Sequence, residues 1–264
     1  MRGIARFKDL CLDAGDAPGM ARFWAAVLGL GPATDEGGPW RIGGPTPQHT
    51  VWVDPVPDPH AEKRLHLDVH CASIDELVAL GAAVRRELPR WTIMTDPEGG
   101  EFCAFVRADP PPQRLYELVL DATDPVELGR WWAGVLGAGR IEEETDADGV
   151  SVGLADVPGA PFEWFVIGES DAPKRRKNRV HIDVSVDPGG VAALVEAGAA
   201  VLREPGHDAP WTVLADPEGN EFCAFETSPG RFRRVEQRDC RSSRATPRSA
   251  DQVGRGRASR PEVA

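Results

Sequence analysis

At 264 residues, with 41% hydrophobic and 27% charged residues, the chain has the make-up of a globular protein long enough for two packed units. Its formal charge of −12 argues against a nucleic-acid-binding body, since such affinity rests on neutralising phosphates. No apolar run approaches the ~20 residues that cross a membrane. Five cysteines, an odd number without a C-x-x-C pair, read as reduced thiols, and with no secretory leader the expected location is the cytoplasm.

In chain order, residues 10 to 29, LCLDAGDAPGMARFWAAVLG, predict a short strand running into a helix, and residues 118 to 137, LVLDATDPVELGRWWAGVLG, repeat the passage at an offset of 108. Asp16 and Asp124 stand where N-caps belong, Pro125 suits the first turn, and Gly29 and Gly137 close the helices. The stripes Phe23, Trp24, Val27, Leu28 and Trp131, Trp132, Val135, Leu136 mark one buried face each, so these aromatic pairs are core. Gly- and Pro-rich strand regions follow, at 39 to 57 and 140 to 168. A second strand-to-helix passage then begins at Leu65 (LHLDVHCASIDELVALGA) and at Val180 (VHIDVSVDPGGVAALVEAGA).

Each half closes on a hairpin. Trp91 to Phe105, WTIMTDPEGGEFCAF, and Trp211 to Phe225, WTVLADPEGNEFCAF, agree at 11 of 15 positions. Asp-Pro-Glu-Gly predicts a tight turn, with Pro fixing φ and Gly taking a positive φ. The chain is therefore a duplication, with one unit over residues 1–108, a second over 109–227 and a tail over 228–264. The tail has ten Arg against Glu236, Asp239, Asp251 and Glu262, and reads as a basic disordered extension. The basic run 174–177 reads as a solvated turn.

Alternation assigns strand faces. Val180, Ile182, Val184 and Val186 form an apolar face that must pack on helices, which leaves His181, Asp183 and Ser185 on the other. Leu65, Leu67 and Val69 likewise oppose His66, Asp68 and His70. Glu117 shares a face with Val119 and Asp121, Glu163 with Phe165, Glu101 with Cys103 and Phe105, and Glu221 with Cys223 and Phe225. If the sheet curls, Glu117, Glu163, His181 and Cys223 meet in the second unit, and Asp9, Gln48, His66 and Cys103 in the first.

The helix signature FWAAVLG/WWAGVLG, the R-x-H-x-D strands (Arg64 to Asp68 and Arg179 to Asp183) and the DPEG-x-EFC hairpin together resemble the vicinal oxygen chelate superfamily, in its glyoxalase-like branch, over residues ~5 to 227. The resemblance implies an α+β fold: tandem glyoxalase-like units, each of two βαβββ modules, with curved mixed sheets forming cups and helices outside. It also implies a divalent ion (zinc, manganese or iron) held by residues of the first and last strands of the modules. Carried over by position, His66 and His181 fall on ligand positions. Cys103 and Cys223 fall where a Glu is usual, which disfavours a hard ion.

Two readings of function follow. In the first, the cups bind a small organic molecule without a working metal site, lined by His66, His181, Trp91, Trp211, Phe105, Phe225, Cys103 and Cys223. In the second, His181, Glu117 and Glu163 hold a metal for a lyase, isomerase or dioxygenase acting on vicinal oxygens, with Glu117 and Glu163 as proton-transferring carboxylates. A third treats the repeat as an interaction scaffold without a pocket. In the first two readings the partner is a small molecule, with no nucleic acid expected on the acidic body and no membrane. The duplication suggests a monomer of two units, with a homodimer as the alternative.

Overall fold

The computed structural model describes residues 2–35, 39–57, 59, 64–146, 149–172, 174–207 and 209–227, so the basic tail 228–264, with Cys240, lies outside the described residues. Four modules follow one another. The first holds β1 (Ala5–Ala14), α1 (Ala17–Val27), β2 (Thr34–Asp35), β3 (Trp40–Ile42) and β4 (Val51–Pro55). The second holds β5 (Leu65–Cys71), α2 (Ile74–Ala79), β6 (Ala83–Glu87), β7 (Thr92–Thr95) and β8 (Glu101–Val106). The third holds β9 (Leu115–Ala122), α3 (Pro125–Leu136), β10 (Arg140–Asp146), β11 (Gly149–Ala155) and β12 (Trp164–Glu169). The fourth holds β13 (Val180–Val186), α4 (Gly190–Glu196), β14 (Ala200–Arg203), β15 (Thr212–Ala215) and β16 (Glu221–Glu226).

The two long helices start and stop as their sequences require. Asp16 accepts a hydrogen bond from the Gly19 amide and Asp124 from the Glu127 amide, each satisfying a free N–H of the first turn. Gly137 closes α3 in the left-handed conformation, φ +68°. The aromatic stripe packs as core: Trp132 lies between Phe165 and Phe222 at centroid distances of 5.6 and 5.3 Å, and Trp24 lies 5.3 Å from Phe102. Burying such rings supplies about 1.5–3 kcal/mol each.

The strands form two eight-stranded mixed sheets, in the orders β14-β15-β16-β13-β1-β4-β3-β2 and β10-β11-β12-β9-β5-β8-β7-β6. Each sheet takes one module from each half of the chain. Modules one and four join through the antiparallel β1–β13 pair, with Cys11 opposite His181, and modules two and three through β5–β9, with His66 opposite Val119. The sequence expectation drew both modules of a cup from the same half. The exchange regroups every candidate site.

A reciprocal clasp joins the two sheets. The DPEG segments make the expected turns, with Gly99 at φ +79° and Gly219 at φ +87°. Their Glu side chains do more than turn the chain. Glu98 accepts from the amides of Gly15 and Asp16 at the entry to α1, and Glu218 from those of Thr123 and Asp124 at the entry to α3. The buried Arg179 donates to Asp96 (2.6 Å), Glu98 (3.0 Å) and the Asp13 carbonyl, while Arg64 donates to Glu218 (3.2 Å) and to the carbonyls of Asp121 and Ala172. The copies differ for a reason. A Cβ on Gly100 would lie 1.9 Å from Arg179 Nη1, whereas Asn220 at the matching place donates to Asp216, which no guanidinium reaches among the described residues.

Candidate functional site

In each sheet the apolar strand face packs on helices and the polar face lines a cleft. On the β1–β13 sheet a cleft of about 400 Å³ is lined by Cys11, Asp13, Asp54, His181, Asp183, Trp211 and Cys223 among others. The register brings these together, since Cys11 opposes His181 and Asp183 opposes both Asp9 and Cys223. This cleft supplies its own cations. Lys8 Nζ lies 2.6 Å from Asp9 and 3.9 Å from Asp183, 4.1 Å above the Phe225 ring, and Lys177 pairs with Asp13. Burial, and the Asp183 carboxylate opposite, still push Asp9 up to about 6.

The cleft on the β5–β9 sheet is larger, about 950 Å³. Its walls are aromatic: Trp91 stacks on Phe105 at 6.0 Å, Tyr116 meets Phe105 edge-on at 5.1 Å, and Trp164 stands on the far side beside Gly153. Small side chains at Ser151 and Gly153 leave the volume open. At its floor His66 Nδ1 lies 2.8 Å from Asp68, which also accepts from the Cys103 amide. Glu117 sits opposite Asp68 across the strand pair. Burial and the Asp68 charge push its carboxyl up to about 7, although Tyr116 hydrogen-bonds to it. Burial opposes a charge on His66, yet the adjacent Asp68 outweighs it and raises the imidazole above its ordinary value. Glu142 and Glu144 add further carboxylates along the rim.

The structure therefore divides the residues singled out in the sequence. His66, Trp91, Cys103, Phe105 and Glu117 line the larger cleft; His181, Trp211 and Cys223 line the smaller one, with Phe225 stacked on Trp211 at 5.1 Å. The set His181, Glu117 and Glu163 does not assemble, because His181 belongs to one sheet and Glu117 to the other. Glu163 is also displaced from the cleft floor: it precedes β12, is 65% exposed at its side chain, and lies 3.9 Å from His70 Nε2. Phe165 and Ile167 are the buried residues of β12, so Trp164 and Val166 face the cleft, and the expected alternation is one residue out of step. Asp9 is near its cup, held by Lys8 and Trp52, while Gln48 lies away from both clefts in the 3-10 turn Pro47–His49. Alternation sets Asp68 on the polar face beside His66, but it names no site role for Asp68, Cys11, Tyr116, Trp164 or Lys8; the 108-residue offset that aligns Lys8 with Tyr116 is the available signal.

The donors can be tested against the divalent ion expected of this arrangement. In both clefts a His, an Asp and a Cys present donor atoms within 4.8 Å of one another: His66, Asp68 and Cys103 in the larger, His181, Asp183 and Cys223 in the smaller. In the larger cleft His66 Nδ1 is hydrogen-bonded to Asp68, and burial and Asp68 drive the Cys103 thiol upward. The smaller cleft differs in that Cys11 also approaches His181. His181 Nδ1 and Asp183 Oδ1 lie 3.2 Å apart, buried, without an aligned hydrogen bond. Two thiols, an imidazole and a carboxylate suit zinc and not a hard ion.

A family model described as "Glyoxalase-like domain" matches residues 9–105 and again residues 117–225. Among solved structures, glyoxalase I from Zea mays is 15% identical, with a TM-score of 0.63 over 84% of this chain and 92% of that one. A putative dioxygenase from Bacillus subtilis is 12% identical, with a TM-score of 0.54 over 87% of each chain. At such identity the likeness is one of fold. No curated protein sequence matches significantly.

Proposed function

The chain belongs to the glyoxalase-like domain family of the vicinal oxygen chelate superfamily, and from that premise we propose that it binds a small organic molecule in the cleft of the β5–β9 sheet, without a hard metal ion there. The observation that carries this reading is the pairing of an aromatic cleft of about 950 Å³ with a floor whose last-strand ligand position is a half-buried thiol, held protonated by its surroundings, where a carboxylate would be needed for a hard ion. A cleft of that size matches those that take drug-sized ligands. Trp91, Phe105 and Trp164 would hold a flat group, and the floor carboxylates and His66 would orient its polar end. The test is a thermal-shift screen of small organic molecules against wild type and Ser151→Trp, which fills the cleft from its wall. Hits that vanish in the variant are expected. Hits that persist would move the site elsewhere and overturn the reading.

A second reading rests on the orphaned His181–Asp183 pair. There the smaller cleft holds zinc through His181, Asp183, Cys223 and Cys11, and the ion would supply a Lewis acid for polarising a substrate oxygen. Metal content of protein prepared without chelator distinguishes it: near-equimolar zinc lost in His181→Ala is expected, and no uptake on dialysis against zinc would refute it. Because each half already pairs its sheet edges with the other, we further propose a monomer, with a mass of 28.5 kDa by light scattering; twice that value would indicate a dimer. Among the described residues no helix is long and apolar enough to cross a membrane.

A further inference from the structure

We infer that the β5–β9 cleft is built for an organic ammonium, a charged amine carried on an aromatic group, an inference that rests on the small-molecule reading above. The chain contains its own stand-in for such a ligand. On the β1–β13 sheet two carboxylates, Asp9 and Asp183, face each other across neighbouring strands, and the Lys8 ammonium sits 2.6 Å from the first, 3.9 Å from the second and 4.1 Å above the ring of Phe225. Trp211 backs that ring. Every member of this arrangement except the lysine between the carboxylates recurs on the β5–β9 sheet. Glu117 faces Asp68 across the equivalent strand pair, Phe105 takes the place of Phe225, and Trp91 backs it. At the position of Lys8 stands Tyr116.

The exchange of Lys for Tyr changes the charge and leaves the scaffold. Two carboxylates placed opposite each other repel unless a cation lies between them. Tyr116 gives Glu117 a hydrogen bond and brings no charge. His66 beside Asp68 does not make up the difference, because His181 stands beside Asp183 in the twin and Lys8 is present there as well. Arg90 and Arg107 line the cleft, 5.4 Å over Trp91 and 5.8 Å over Tyr116, but among the described residues no Lys or Arg pairs with Glu117 or Asp68. The aromatic faces favour the same ligand, since an ammonium over a ring is attracted by its quadrupole. On the rim Glu142 and Glu143 are paired with Arg140 and Arg130, and Glu144 steers in the same direction. Space completes the match: this cleft, about 950 Å³, has room for a ring system around the amine.

Isothermal titration at pH 8 of the full chain with 2-phenylethylammonium, 2-phenylethanol and 3-phenylpropanoate tests the inference. The ammonium is expected to bind about tenfold more tightly than the alcohol, with the carboxylate weakest. Two variants with wild-type circular dichroism should each bring the ammonium down to the level of the alcohol: Glu117→Gln, which removes the charge, and Tyr116→Lys, which supplies an internal cation. If either fails to fold, the other decides. An alcohol or carboxylate that binds wild type as tightly as the ammonium would overturn the cation preference and leave the small-molecule site standing. A preference that survives the folded variants would overturn the assignment to Glu117 and Asp68. If none of the three binds, both the preference and the site fall.

Discussion

The two clefts descend from one repeated sequence and have become electrostatically unlike. The β1–β13 cleft, about 400 Å³, has lysines on two of its carboxylates, Lys8 on Asp9 and Lys177 on Asp13. The β5–β9 cleft keeps the carboxylates and the stacked Trp–Phe pair but has exchanged the neutralising lysine for Tyr116. The difference teaches that one duplicated fold can place a cation between a pair of facing carboxylates in one copy and leave the pair without one in the other. A family match could not distinguish the copies, since both halves match the same model.

The largest expected effect tests whether the two sheets are equivalent where they meet. Arg179→Met leaves Asp96 and Glu98 without their cation in a buried setting and is expected to cost about 3–5 kcal/mol, read from urea denaturation. Arg64→Met removes one carboxylate partner and two carbonyl bonds and should cost less. Equal losses would contradict the asymmetry of the clasp.

A smaller effect sharpens the contrast in charge. Glu117 titrates at about 7 in the folded protein against an ordinary value of 4.5, so the folded chain holds a proton that the unfolded chain has released between those values. Stability therefore falls as pH rises through that window, and the cost is complete above pH 7. Glu117→Gln should recover up to about 3 kcal/mol at pH 8 and nothing near pH 4, measured by thermal melting at both. Asp9→Asn should recover less, because Asp9 reaches only about 6 and Lys8 loses its partner. An equal gain from both variants would erase the distinction between the clefts.

The smallest effect concerns the rings. Trp91→Ala should weaken binding of 2-phenylethylammonium by about 1 kcal/mol, whereas Trp211→Ala should leave it unchanged. Equal weakening by titration would place a ligand in both clefts.

Most of the local structure was legible in the sequence. The Asp N-caps, the Gly137 stop, the buried Trp132 stripe and the DPEG turns follow from residue chemistry, and the polar face of β13 follows from alternation. The pairing of modules was not legible. A strand edge of β1 offers the same backbone groups to β5 as to β13, so pattern alone does not choose between them, and the error moved Glu117 to the wrong histidine. The site also suffered from a single register slip at Glu163, where the sequence reading put Phe165 on the cleft face although Phe165 and Ile167 carry the core of β12. Arg64 and Arg179 were visible as part of a signature, but their role lies in contacts about 80 to 150 residues away along the chain, to Asp96 and Glu218, which no local pattern encodes.

The exchange of modules between sheets has a consequence for how the polypeptide can be divided. A cut between residues 108 and 109 would not release two self-sufficient proteins, since each fragment would carry two half-sheets with bare edges along β1 and β5, or along β9 and β13. Such fragments are complements: each holds the missing partner strands of the other, so neither ligand cleft exists until the two are mixed.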